Sequence, residues 1–257
     1  MIQPFGIPIN EPRLGDSSCW AADGEEPGSS SRLDVPVTVH DVARALPDIL
    51  TLRERCRALA MLDAIMSPEW ESRYYSFNTR WAPDEQLASM RNGSGDEWSI
   101  VFASAGAFVR GFDHESPMSP ANNDEELWPG LVDTVAQIFS SYVDEPAFSY
   151  EGTLEATVCL WRQHGDDRWH AGELNFPGGD DPDGADKLFR VLVDGTPVAY
   201  QRFAEDYYGR AVNLEAVSEV FAGHPLTDEL VRRLNGDLLV ADLAEDLAEI
   251  GYPSRPV

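Results

Sequence analysis

The stretch from Met90 to Pro120, MRNGSGDEWSIVFASAGAFVRGFDHESPMSP, constrains the fold of this chain more than any other. Apolar residues fill 98–103 and 107–112 with no helical spacing, and the small turn residues Ser104, Ala105 and Gly106 separate them. That pattern predicts a β-hairpin with strands over 97–103 and 107–113. Trp98, Ile100 and Phe102 then share one side of the first strand, and Phe108, Arg110 and Phe112 one side of the second. Both faces of 98–102 are apolar, so both must be covered, and a sheet open to water on one side is excluded. The expected core centre is Trp98, Ile100, Val101, Phe102 and Phe108, packed under a helix over 48–66.

That helix follows from Ile49, Leu52, Cys56, Leu59, Leu62 and Met66 at three- and four-residue spacing, with a capping-box pair Thr51/Glu54 near its start and Pro68 after its end. Pro83, Asp84 and Glu85 followed by Gly93 predict a short helix over 83–92. Leu131, Val135, Ile138 and Tyr142 predict another over 130–142. A second hairpin is expected to pair 154–164 with 168–176 across Gly165, Asp166 and Asp167. The remainder reads as helices: 186–193, one opened by Thr196 and Pro197, two capped by Asn213 and Thr227, and an acidic one over 239–250. Residues 1–36, rich in Pro and Gly and without periodicity, read as an irregular arm, and 37–257 as a single domain. The fold class is α+β: an antiparallel sheet of about four or more strands, built from two hairpins and covered by helices, with a helical C-terminal third.

Charge decides which partners are excluded. Of 257 residues, 45 are acidic and 19 basic, a formal charge of −26, and Lys187 is the sole lysine. Such a field repels nucleic acid and anionic membrane. It is explained by a high-salt or GC-rich host, by an acidic face that meets a basic partner, or by cation binding. The cysteines Cys19, Cys56 and Cys159 are odd in number and widely spaced, which fits neither a disulfide framework nor a zinc site. With no secretory pattern in the first ten residues and no apolar run of membrane length, the expected location is the cytoplasm.

The loop leaving the hairpin carries Asp113, His114 and Glu115 side by side, the first candidate site. His114 flanked by carboxylates suits a general base or a metal ligand. In an extended segment, however, neighbouring side chains point to opposite faces, which favours a polar loop that bonds local backbone. Ser116 and Ser119 lie close by but no third group orients a base for them. The segment 178–186 holds an Asp-x-Asp-Gly pattern, yet an EF-hand register puts Gly179 first and Arg190 twelfth, where carboxylates are required. It reads instead as an exposed loop ending in a helix cap. The Gly-rich run from Arg91 to Asp96 lacks a Walker lysine and reads as a helix end leading into a strand. His164 and His170 bracket the second turn with His170 opposite Arg162, which is not ligand geometry. Tyr74, Tyr75, Phe77 and Trp81 read as core and edge cover rather than a pocket lining. No metal or cofactor is implied.

Three segments, YYSFNTRWAPDEQLASMRNGSGDEWSIVFASAGAFVRGFDHESPMSP, TVCLWRQHGDDRWHAGELNFP and LAEDLAEIGYP, resemble an uncharacterised family of bacterial hypothetical proteins. The resemblance spans most of the chain from about Trp70 onward. It implies one continuous domain and brings no catalytic residues with it.

The leading expectation is a non-enzymatic, acidic protein that binds a protein with a basic surface, most concretely an immunity- or antitoxin-type inhibitor. The alternative is a small hydrolase or metal-dependent enzyme using Asp113, His114 and Glu115. An enzyme should show His114 inside a concave pocket with a second polar group in reach; a binder should not.

Overall fold

The computed structural model describes residues 37–253, so the expected arm lies outside the described residues. The chain opens with α1 (Val39–Ala45) and α2 (Ile49–Met66). Asp48, not Thr51, caps α2: its carboxylate accepts from Thr51 N at 3.0 Å and from Thr51 Oγ1 at 2.7 Å. Four strands follow as consecutive hairpins, β1 (Tyr75–Ala82), β2 (Glu85–Arg91), β3 (Glu97–Ala103) and β4 (Gly106–Phe112). A largely irregular segment contains one helical turn, α3 (Ser140–Val143), and a two-stranded ribbon of β5 (Ser149–Tyr150) and β6 (Thr153–Leu154). The chain then returns to the main sheet with β7 (Val158–Gln163) and β8 (His170–Ala171). The helices α4 (Ala185–Asp194), α5 (Pro197–Tyr208), α6 (Leu214–Phe221), α7 (Asp228–Leu234) and α8 (Ala244–Ile250) complete it. The main sheet is antiparallel throughout and six-stranded, in the order β1-β2-β3-β4-β7-β8. This is an α+β fold in which α1 and α2 precede the sheet and α4 to α8 form a helical C-terminal part.

The sheet divides the core in two. Register places Phe77, Ala88, Ile100, Val109, Leu160 and Ala171 in one unbroken cross-strand row. That row belongs to the larger cluster, packed with Leu59, Leu62 and Ile65 of α2 and with residues of α4 to α8. On the opposite face Val101, Phe108, Cys159 and Trp161 pack with Leu131, Phe139, Tyr142, Phe148 and Leu154 from the irregular segment. Alternation along each strand produces this split. All five residues expected at the core centre are buried, but Val101 and Phe108 face away from α2.

Several elements differ from the sequence expectation. The helix expected over 83–92 is a hairpin: Pro83 and Asp84 form the turn, Asp84 with φ 61°, and residues 85–91 are strand β2. Pairing on both sides, with β1 and β3, overrides their helix-favouring composition. The helix expected over 130–142 is reduced to a 3-10 turn, Gln137–Phe139, and α3. The second hairpin is shorter than expected, with β8 of two residues, and its register sets His170 opposite Trp161 rather than Arg162. The Trp161 and His170 rings stack at 6.2 Å. The acidic helix is divided into a 3-10 turn, Val240–Leu243, and α8. Among the described residues no helix is long and apolar enough to cross a membrane.

Candidate functional site

The β2–β3 loop, the exit from β4 and the first turn of α4 meet at one end of the sheet, and each delivers one or two ionisable groups. The β2–β3 loop is held by Asn92, whose Oδ1 accepts from Ser94 N at 2.7 Å and Asp96 N at 3.1 Å, while its Nδ2 donates to Asp96 Oδ2 at 2.7 Å. It is a hairpin loop, not the helix end expected for this run. Asp96 is thereby buried and aimed inward. Its Oδ1 lies 2.7 Å from His114 Nδ1 and also accepts from His114 N at 3.3 Å.

Asp113 is fixed from the other side. Its N–H donates to Thr157 Oγ1 at 3.2 Å, and Thr157 Oγ1 donates to Asp183 O at 2.7 Å. Gly184, at φ 74°, lies against Asp113 so closely that any side chain there would collide with it. Gly111 serves a similar close approach, because a Cβ would sit 2.9 Å from the Phe189 ring of α4. These two glycines let α4 come near enough for Lys187 to reach the loop. Lys187 Nζ lies 2.7 Å from Asp96 Oδ2, 3.2 Å from Asp113 Oδ1 and 3.9 Å from Glu115 Oε2.

The Asp-rich segment before α4 supports this arrangement instead of binding calcium. Asp181 accepts from Asp186 N at 3.0 Å and Lys187 N at 2.9 Å, capping the first turn. Asp183, expected in an exposed loop, is fully buried; it accepts from Val39 N at 2.8 Å and Ala185 N at 3.1 Å, joining α1 to α4. Burial pushes its carboxyl up to about 6.

The electrostatics of the cluster are those of a satisfied network. Burial opposes the charge on Asp96, but hydrogen bonds from Lys187 and His114 prevail and hold it below its ordinary value. Lys187 is likewise held above its ordinary value, burial being outweighed by Asp96 and Asp113. Asp96, Asp113 and His114 form a group spaced to hold a metal ion. The Lys187 ammonium, however, already contacts two of those carboxylates, so a divalent ion would have to displace it.

Of the expected site residues, Asp113 and His114 come together, through Asp96, while the Glu115 side chain stays three-quarters exposed at the margin. The sequence alone does not single out Asp96 or Lys187 as site residues. Asp96 was legible only as the end of a glycine-rich run and Lys187 only as the sole lysine. Ser116 is no nucleophile: its hydroxyl donates to Pro182 O at 2.7 Å and accepts from Met118 N at 3.0 Å. Tyr75 and Phe77 are core residues, Tyr74 packs on Phe203 and Tyr207, and Trp81 stacks on Phe148. Lys187 borders a cavity of about 400 Å³ between β1, α4 and α5, but His114 and Asp96 do not line it.

A second feature emerges only on the folded chain. Between Gly111 and Trp161 the sequence has ten carboxylates and no lysine or arginine. This segment supplies most of the irregular cover of the second sheet face, eight of the ten carboxylates lying between Ser116 and Thr157. Asp124, Glu125 and Glu151 sit there on turns with φ of 54°, 63° and 50°, and Ile138 and Tyr150 are 57% and 66% exposed. Comparison with protein-family models, curated proteins and solved structures gives no match for the chain.

Proposed function

We propose that the protein acts by binding a basic protein partner through the acidic cover of the second sheet face, as an immunity- or antitoxin-type inhibitor does. The observation that carries this reading is the run of eight carboxylates between Ser116 and Thr157 with no lysine or arginine among them, in the segment that covers one sheet face. The rest of the chain is also acidic but has arginines interspersed; a stretch that has none, with exposed Tyr150 and Ile138 within it, steers and seats a cationic surface. Turns held at positive φ fix the backbone that presents Glu125 and Glu151. Cys56 and Cys159 are buried free thiols, in keeping with the reducing cytoplasm proposed as its location.

The test uses the full chain as bait in two charge-matched variants. Glu125→Gln/Glu126→Gln/Glu151→Gln neutralises the layer, and Asp206→Asn/Glu229→Gln/Glu245→Gln removes the same charge from the helical side. A basic protein captured by wild type and by the helical-side variant, and lost from the layer variant, supports the reading. Equal capture by all three baits contradicts it.

One observation favours a hydrolase as the second reading. The buried Asp96 carboxylate orients His114 through Nδ1 at 2.7 Å, and Nε2 makes no hydrogen bond among the described residues. An imidazole held in this way can take a proton from water. Against it, His114 lines no part of the neighbouring cavity. Turnover of p-nitrophenyl acetate or p-nitrophenyl phosphate that disappears in His114→Ala would establish it.

A further inference from the structure

A large groove lies at the far corner of the sheet, away from the Asp96–His114 cluster, where the β1–β2 hairpin loses its regularity. The two strands pair residue for residue from Tyr75 opposite Met90 to Asn78 opposite Leu87, and pairing resumes only at Ala82 opposite Glu85. Thr79, Arg80 and Trp81 therefore face Gln86 alone. Such a bulge turns side chains away from the two regular sheet faces. Here it opens a groove of about 890 Å³, bounded by Arg53 of α2, Phe102 at the end of β3 and His164 of the β7–β8 turn.

The groove is basic in a chain whose net charge is −26. Arg53, Arg80 and His164 line it against one carboxylate, Asp84. Arg80 has no ion pair and no side-chain hydrogen bond among the described residues, and Arg53 touches Glu54 only at 3.4 Å. Where carboxylates outnumber cations more than twofold, a guanidinium without a partner beside a second one held only by a long ion pair, both around one concavity, calls for an anion. Their forked geometry suits phosphate. Trp81 adds a flat wall whose orientation is set from behind, since its ring stacks on Phe148 at 5.9 Å with 10° between the planes. The volume lies in the range of small-molecule sites, about 300–1,000 Å³.

We infer that this groove binds a small flat organic phosphate of mononucleotide size, with the phosphate on Arg53 and Arg80 and the flat group against Trp81. The site is independent of the acidic layer, so it stands or falls apart from the partner-binding reading. Calorimetric titration of the full chain at low ionic strength with AMP, adenosine and inorganic phosphate tests it. AMP should bind, and adenosine and phosphate each at least about tenfold more weakly. Arg80→Gln and Arg53→Gln should each weaken AMP by about tenfold or more, with the exposed Arg232→Gln as an unaffected control. Melting temperatures close to wild type would show that all three variants are folded. No AMP binding at millimolar concentration, undiminished binding in both groove variants, or phosphate binding as tight as AMP would overturn the inference.

Discussion

On one side of the sheet Ile100, Val109 and Leu160 meet regular helices; on the other, Val101, Phe108 and Trp161 meet a segment whose helical structure is one short α-helical turn and three 3-10 turns. A helical cover places side chains at fixed intervals, so some of its carboxylates find arginines three or four residues away or on the neighbouring helix. Arg57 with Glu54, and Arg233 with Glu219, are examples. The irregular cover is pinned at single points by Leu131, Phe139, Tyr142, Phe148 and Leu154, and its carboxylates have no cation within the segment. The contrast teaches that the same sheet carries one face whose helical cover intersperses arginines with carboxylates and one whose irregular cover holds carboxylates alone.

The largest expected effect contrasts burial on the two faces. Ile100 is fully buried in the helical core, so Ile100→Ala should cost about 2–5 kcal/mol in urea unfolding. Ile138, exposed on the irregular face, should cost less than about 0.5 kcal/mol as Ile138→Ala. Equal costs would erase the distinction between the faces.

The next prediction sharpens the helical side. Asp63 lies fully buried on α2; its Oδ2 accepts from Tyr74 N at 2.9 Å and Tyr75 N at 2.8 Å, and its Oδ1 from Tyr200 OH at 2.8 Å. Burial outweighs these donors and pushes the carboxyl up to about 6. With the folded value raised above the unfolded one, its contribution is fully present below about pH 4 and is lost as pH rises through about 6. Asp63→Asn keeps one acceptor oxygen for Tyr74 N and Tyr75 N and turns an amide donor to the Tyr200 hydroxyl, and should abolish this part of the pH dependence. The variant should then gain on wild type by about 2–3 kcal/mol between pH 4 and 7. Parallel stability curves for the two proteins would contradict the assignment.

How much of this was legible in the sequence follows the same division. The hairpin of β3 and β4 was readable because apolar residues on both faces leave no other element, and α2 because burial recurs each turn. Asp63 was not readable: it interrupts an apolar stripe, and its three donors come from residues far along the chain or on another element. Strand β2 was misread because Glu85, Gln86, Leu87 and Ala88 favour helix locally, and only pairing with two neighbours decides otherwise. The segment 130–142 imitated helical spacing, yet Ile138, counted on its apolar stripe, points to solvent. The site was half legible. Asp113 and His114 adjoin in sequence, whereas Asp96 and Lys187 reach them only because the β2–β3 loop and α4 converge.

A smaller effect is expected at that convergence. Lys187→Met should cost about 1 kcal/mol, since the ammonium is partly exposed and its loss leaves Asp96 and Asp113 unscreened. The vacated position should then be filled by a divalent cation, so zinc should raise the melting temperature of the variant and leave wild type unchanged. A zinc shift in wild type would instead mean that the ammonium yields to metal and that the network is a metal site.

The most direct test of the two-face account is the salt dependence of affinity for the captured partner, measured with wild type and the two charge-matched triple variants. The account predicts that Glu125→Gln/Glu126→Gln/Glu151→Gln weakens binding by about tenfold or more and flattens the salt slope, while Asp206→Asn/Glu229→Gln/Glu245→Gln stays within about threefold. Equal losses in both variants, with equal slopes, would show that net charge alone draws the partner and that the irregular face has no special part in binding.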